Sequence, residues 1–204
     1  MGLKYLSIDI ETSGLDSEND RILEIAAVIE DTDKQLDFDE IPKYKAILNY
    51  NRISGSAYAL SLNTRILEIL AKIPKHIDGD TFQQKSNYLK KHNIILPQDF
   101  ALSFYCFLES NGYKADNGQI KIIVAGKNFG AFDKQFLEKL PNLKKYIDFG
   151  HRTIDPANLY IDFEHDMEIP SLNTCLERAQ ITDEVTHNAL LDAWDVVRVM
   201  RKKY

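Results

Sequence analysis

Strand-like alternation comes first along this chain, and helical spacing dominates later. In residues 3–10, Ile8 and Ile10 point to one side of a short strand. Asp9 and Glu11 therefore point together to the other side, about 7 Å apart along the strand axis. Thr12, Ser13 and Gly14 are poor strand residues and good turn residues, so the strand ends just past the second carboxylate and leaves that end open to a ligand. Residues 22–29 form an almost unbroken apolar run and predict a buried second strand. The polar residues 16–20 lie between, which makes a hairpin-like antiparallel pair the shortest connection. A third strand is expected over 44–48.

Helical spacing then takes over. Leu62, Ile66, Ile69, Leu70 and Ile73 recur on one face and predict a helix over 60–73 that stops at Pro74. Residues 75–93 are mostly polar and read as an excursion with room for a helix of its own. Further on, the pattern predicts helices over 100–108, 128–140, 171–179 and 188–202, with strands over 120–125 and 147–154. A meander followed by alternating helices and strands implies an α/β fold. It would hold a mixed sheet, antiparallel and then parallel, flanked by helices in a single domain over 1–204. No repeat or low-complexity tract interrupts it.

Composition narrows the function classes. The chain has 204 residues, 44% hydrophobic and 27% charged, as in globular proteins with a real core. Its net charge of −6 argues against a broad basic surface that grips long duplex nucleic acid. A small site where bound cations supply the positive charge stays open. Cys106 and Cys175 lie in apolar patterns without metal-ligand spacing and read as buried thiols, a disulfide remaining open. No basic-then-apolar leader and no membrane-length apolar run is evident, so a soluble, cytoplasmic protein with no membrane partner is expected.

Paired carboxylates repel unless a cation or proton sits between them, and oxygen ligands suit hard divalent ions. An isolated Asp-x-Glu pair is nevertheless an ordinary feature of a solvated strand edge, so a metal site needs further acids. Asp133 provides one, lying on the apolar stripe of Phe129, Phe136 and Leu137, although a place near the helix N-terminus would also suit an acid. Asp192 provides another, in line with Ala189, Val196 and Val199. Two inward carboxylates call for a compensating charge, and divalent ions shared with Asp9 and Glu11 would supply it. Asp195 faces a less apolar side and reads as solvated. His187 is five residues before Asp192, roughly 140° away on a helix, so the two cannot share a face. With Thr186 or Asn188 as cap, His187 would lie at or before the first turn and reach over the site as a general base. A lone surface histidine is the plainer alternative. His76, His92 and His165 sit in polar stretches, and His151 precedes an arginine. The basic last turn, 198–203, reads as a complement to the helix dipole.

Taken in order, Asp9-Ile-Glu11-Thr12, Asn128-Phe-Gly-Ala-Phe132-Asp133 and His187-Asn-Ala-Leu-Leu-Asp192 resemble the three motifs of the DEDDh 3′→5′ exonucleases, the DnaQ-like group with a ribonuclease H-like fold. Asn128 stands five residues before Asp133. That spacing, with Pro141-Asn-Leu-Lys-Lys-Tyr146 and His151-Arg152-Thr-Ile-Asp155, is most similar to the oligoribonuclease branch. Residues 71–100 depart from the pattern by their length.

The resemblance implies a two-metal site for Mg²⁺ or Mn²⁺. Asp9, Glu11 and Asp192 would hold one ion, and Asp9, with Asp133 at one remove, would place the other. His187 would take a proton from the attacking water, and nucleoside 5′-monophosphates would leave. It also implies Thr12, Leu15, Asn128 and Phe132 as substrate-facing positions, with single-stranded DNA or RNA 3′ ends or short oligonucleotides as partners and a homodimer as the assembly. For Leu15 and Phe132, plain core packing is the alternative to stacking on bases. Two other functions compete: a catalytically silent nucleic-acid-binding or scaffolding module on the same fold, and a domain that uses divalent ions only for stability.

Overall fold

The structure, a computed structural model, describes residues 2–75, 79–182 and 186–204. It begins with β1 (Lys4–Thr12), β2 (Ile22–Asp31) and β3 (Lys43–Leu48), followed by α1 (Ala57–Leu62), α2 (Thr64–Ala71) and α3 (Gly79–Lys91). Next come β4 (Ile94–Ile95), α4 (Pro97–Ser110), β5 (Ile120–Lys121), β6 (Val124–Ala125), α5 (Asp133–Leu137) and α6 (Leu143–Tyr146). The remainder is β7 (Ile147–Asp148), β8 (Thr153–Ile154), α7 (Ala157–Tyr160), α8 (Leu172–Arg178) and α9 (Ala189–Arg201). The main sheet runs β4-β3-β2-β1-β6-β8, and β5 and β7 form a second small ladder. β1, β2 and β3 pair antiparallel, whereas β4, β6 and β8 join in parallel. This is the expected mixed α/β sheet flanked by helices, as in a ribonuclease H-like fold.

Side-chain alternation on β1 gives the sheet two different faces. Leu6, Ile8 and Ile10 pack with Ile25, Ala27 and Ile29 against Phe100, Phe104 and Leu108 of α4 and Phe136 and Leu137 of α5. Tyr5 and Val28 face the other way, against Ala193, Val196, Val197 and Met200 of α9. Asp9 and Glu11, in phase with Tyr5, therefore emerge on the α9 side. Glu30 of β2 is fully buried there, and Arg201 grips its carboxylate with two hydrogen bonds of 2.8 and 2.7 Å. The Tyr204 hydroxyl adds a third at 3.1 Å. Thus the last turn of α9 is bound into the fold through Arg201, beyond any complement to the helix dipole.

Several expected elements are broken, each for a local reason. The helix over 60–73 starts earlier, at the Ser56 cap, and divides at Asn63, whose buried side-chain amide donates to the Thr12 and Ala59 carbonyls. A side chain that competes for backbone groups interrupts a helix in this way. The strand over 120–125 keeps its alternation but changes partners: Ile120–Lys121 pairs with β7, whereas Val124–Ala125 pairs with β1. The strand over 147–154 is interrupted at Gly150, which has a left-handed φ of 64° and donates its N–H to Asp148. The helix over 128–140 is reduced to Asp133–Leu137, because Asn128 is left-handed (φ 62°) and the chain turns before it winds. The polar excursion does hold a helix, α3; His76 lies outside the described residues. Cys175 is buried as expected, but Cys106 is exposed on α4 and both thiols are free. No helix among the described residues is long and apolar enough to cross a membrane.

Arg201→Ala would leave the Glu30 carboxylate buried without its main counter-charge. Urea unfolding is expected to show a loss of about 3–5 kcal/mol, with partial recovery in the Arg201→Ala, Glu30→Gln double variant. A loss of under about 1 kcal/mol, the range of an exposed pair, would show that the pair does not anchor α9.

Candidate active site

Two elements bring the acids together. β1 presents Asp9 and Glu11 on the α9 face, opposite Ala26 and Glu24 of β2. The register slips between Glu11 and Thr12, so the strand ends in an irregular step just beyond the second acid. From above, Asn188 caps α9 by accepting the Leu190 N–H at 3.2 Å. One turn on, Asp192 is 6% exposed and accepts the Thr186 N–H at 3.3 Å, which ties it to the segment leading into the helix. One carboxylate oxygen from each of Asp9, Glu11 and Asp192 lies within 4.8 Å of the others. Oxygen ligands sit about 2.0–2.6 Å from Mg²⁺ or Ca²⁺, so the three can share one hard cation.

Asp133 comes from the opposite layer. It is the first residue of α5 and 4% exposed, between the buried Phe129 and the buried Phe136 and Leu137. Both sequence alternatives therefore hold, the buried stripe and the helix N-terminus. It stands outside the three-oxygen cluster, yet among neighbouring charges it raises the Asp9 pKa most.

The electrostatics fit a cation site. Burial first, and then the charges of Asp133, Asp192, Glu11 and Glu24, hold the Asp9 carboxyl well above the usual carboxylate range. Burial, with Asp192 and Glu24, pushes Glu11 up to about 7, and the Arg65 guanidinium and the Asn63 amide draw it back. Burial also raises Asp133 to about 7 against the pull of the backbone at Asp133 itself and Ile10. Asp192 reaches about 6, again mainly through burial, with the Thr186 amide and His187 opposing. Without a cation these acids are forced toward neutrality. An all-oxygen, closely spaced donor set with this charge surplus suits Mg²⁺ or Mn²⁺.

His187 is exposed and left-handed (φ 51°), immediately before the α9 cap, and it is among the groups that oppose the rise of the Asp192 carboxyl. It therefore occupies the expected place at or before the first turn. Thr12 is buried, and its hydroxyl donates to the Gly14 carbonyl at 2.7 Å, so its side chain holds the turn. Leu15 is 85% exposed, which excludes core packing for it. Phe132 is half-buried and packs beside Phe136, ring centroids 5.0 Å apart, so core packing accounts for part of its surface. Asn128 is exposed, and its N–H donates to the Asp155 carboxylate at 2.9 Å, joining the two segments.

Two residues around the site were not singled out from sequence, and a third was misplaced. Glu24 is fully buried beside Glu11 and paired with Arg65 at 2.8 Å and Lys45 at 3.1 Å. Its signal was visible, as an acid inside the apolar run 22–29. Asn63 gave no signal, since its contacts with Thr12 and Glu11 depend on the break between α1 and α2. Asp195, expected to be solvated, is 5% exposed and bonds Arg198 at 3.0 Å; an arginine one turn away makes its burial tolerable.

A family model described as Exonuclease, RNase_T, matches residues 6–200, a span that contains all four acids and His187. No curated protein matches the chain significantly.

A carboxyl with a raised native pKa binds its proton more tightly folded than unfolded, so it favours the native state most below its ordinary pKa near 4. That contribution is lost as pH rises through about 6 for Asp192 and about 7 for Glu11 and Asp133. In chelator, the melting temperature is therefore expected to fall between pH 5 and pH 8. Mg²⁺ or Mn²⁺ should restore it, with a larger effect at the higher pH. A melting temperature indifferent to metal at pH 8 would contradict a cation site.

Proposed function

The chain belongs to the RNase_T exonuclease family, and from that premise we propose a metal-dependent 3′→5′ exonuclease of the DEDDh type. It would remove nucleoside 5′-monophosphates from single-stranded ends or short oligonucleotides. The observation that carries this reading is the convergence of Asp9, Glu11 and Asp192 oxygens within 4.8 Å, with His187 at the entrance to the same helix as Asp192. Support for the oligoribonuclease-like branch comes from the Asn128 to Asp155 hydrogen bond, which joins two stretches that carry that resemblance.

Asp9, Glu11, Asp133 and Asp192 would hold two divalent ions, Mg²⁺ or Mn²⁺, which when bound polarise the scissile phosphate and offset charge on the attacking and departing oxygens. The chain's own groups do the rest. His187 accepts a proton from the attacking water as its oxygen bonds to phosphorus, and the bond to the departing 3′-oxygen breaks. That oxygen takes a proton from solvent to become a hydroxyl, and His187 returns its proton to solvent. Exposed on the turn after β1, Leu15 packs on the terminal base, with Phe132 from the α5 side. Such contacts read no sequence, which suits stepwise removal of any nucleotide. Backbone at Glu11 and Thr12 meets the terminal 3′-hydroxyl, and Thr12 keeps that backbone in place through Gly14.

The test is digestion of matched 5′-labelled DNA and RNA, short and long, with Mg²⁺, Mn²⁺ or chelator. Stepwise shortening from the 3′ end is expected, dependent on metal and absent in Asp9→Ala. His187→Ala should retain metal binding and slow cleavage by about 10²–10⁴-fold. If the folded, metal-loaded protein cuts nothing, it is a binding module. If His187→Ala is fully active, another group takes the proton.

A further inference from the structure

The turn between β1 and β2, the start of α4 and the bend after α5 enclose a cavity of about 370 Å³ that none of the proposed steps uses. Ile22, Phe136 and Leu140 form an apolar floor, Tyr50 lines one side, and Arg21 and Lys139 stand at the rim. We propose that this cavity is a second nucleotide subsite, which takes the base of a nucleotide upstream of the one being removed while Arg21 meets its phosphate. The proposal rests on the exonuclease reading and extends it to substrate length.

Position is the first argument. The turn that walls the cavity also carries Leu15, exposed beside the end of β1. On the other wall, α5 begins at Asp133, with Phe136 one helical turn beyond it, about 5 Å along the axis, and Leu140 in the bend after the helix. On this proposal, a strand whose end lies at the acids would pass this opening within its next residue or two. Its chemistry is the second argument. An apolar floor with aromatic rings binds any base through its face, and the volume falls within the range of about 300–1,000 Å³ usual for small-ligand sites.

The charges at the rim supply the third argument. Lys139 is committed: its ammonium bonds the Ser17 hydroxyl and the Glu18 carboxylate, which fastens the turn to the bend after α5. Asp20 is committed too, since it accepts the Asp16 N–H at 3.0 Å and packs against Gly14, where a Cβ would meet its carboxylate at 2.2 Å. Arg21 is exposed, makes no ion pair among the described residues, and reaches only the Asp20 carbonyl, at 3.5 Å. Arg21 and Tyr50 line the same cavity, and the guanidinium opposes the burial that raises the Tyr50 hydroxyl. A cation left over beside an apolar slot is the complement of a base followed by its phosphate.

Two substrates separate this subsite from the terminal one. Thymidine 5′-(p-nitrophenyl phosphate) supplies a single nucleotide, and a thymidine tetranucleotide supplies upstream ones. For Arg21→Gln and Tyr50→Leu, KM for the tetranucleotide should rise at least about fivefold, the lower range for loss of one base contact, with hydrolysis of the nitrophenyl ester unchanged. Equal effects on both substrates, or none on either, would overturn the subsite. Arg21 is exposed, so Arg21→Gln decides alone if Tyr50→Leu fails to fold. If the parent protein hydrolyses neither substrate, the exonuclease reading fails. The subsite is then judged by anisotropy of a labelled tetranucleotide: binding weakened in Arg21→Gln retains it, and unchanged binding rejects it.

Discussion

Like charge held out of water governs this structure. Asp9, Glu11, Asp133 and Asp192 come from three elements, and each carboxyl is raised first by burial, with neighbouring acids adding to Asp9, Glu11 and Asp192 in particular. Such a cluster opposes folding unless the scaffold holds the acids in place and a cation compensates them. The two faces of β1 provide the scaffold. One sinks Leu6, Ile8 and Ile10 into the aromatic layer of α4, which fixes the strand, and the other then has no choice but to present Asp9 and Glu11 to α9. At its far end α9 is fixed by Arg201 on Glu30, so its first turns cannot retreat from the repulsion at Asp192.

The site is also unevenly compensated. Glu24 adds a further acid directly opposite Glu11, but Arg65 and Lys45 from neighbouring elements already neutralise it. On the α9 side, Asp195 has Arg198. Both outer acids thus carry cations of their own, whereas the inner oxygens of Asp9, Glu11 and Asp192 are left facing one another. A net charge of −6 for the chain is therefore no obstacle to binding a polyanion. Attraction would be generated locally, by ions at the acids and by a few side chains such as Arg21, and not by a basic surface.

What could be read from the sequence follows the range of the interactions involved. β1, β2, β3 and α9 lie close to their expected bounds because alternation and helical spacing are written in consecutive residues. The inward placement of Asp133 and Asp192 came from the same patterns. Where a residue several tens of positions away decides, the pattern misleads. Asn63 breaks a helix to serve Thr12, and the segment 120–125 divides because its two halves pair with different strands. Asn128 gives up helical geometry where its N–H meets Asp155. Leu15 shows another case: its sequence left stacking on a base and core packing both open, and only the course of the turn, which leaves it in solvent, decides against the core.

These departures concentrate around the acids, and that distribution has a physical cause. A helix or strand satisfies its own backbone groups, so its ends and breaks are where amides and carbonyls are released to act on something else. Thr12 ends β1, Asn63 divides α1 from α2, Asn128 turns the chain before α5, and His187 precedes the α9 cap with a left-handed backbone. Each spends local regularity at the same end of the sheet. Regular elements place the four carboxylates, whereas interrupted ones shape the opening above them, so a substitution in the first group should act on the cations and one in the second on the nucleic acid strand.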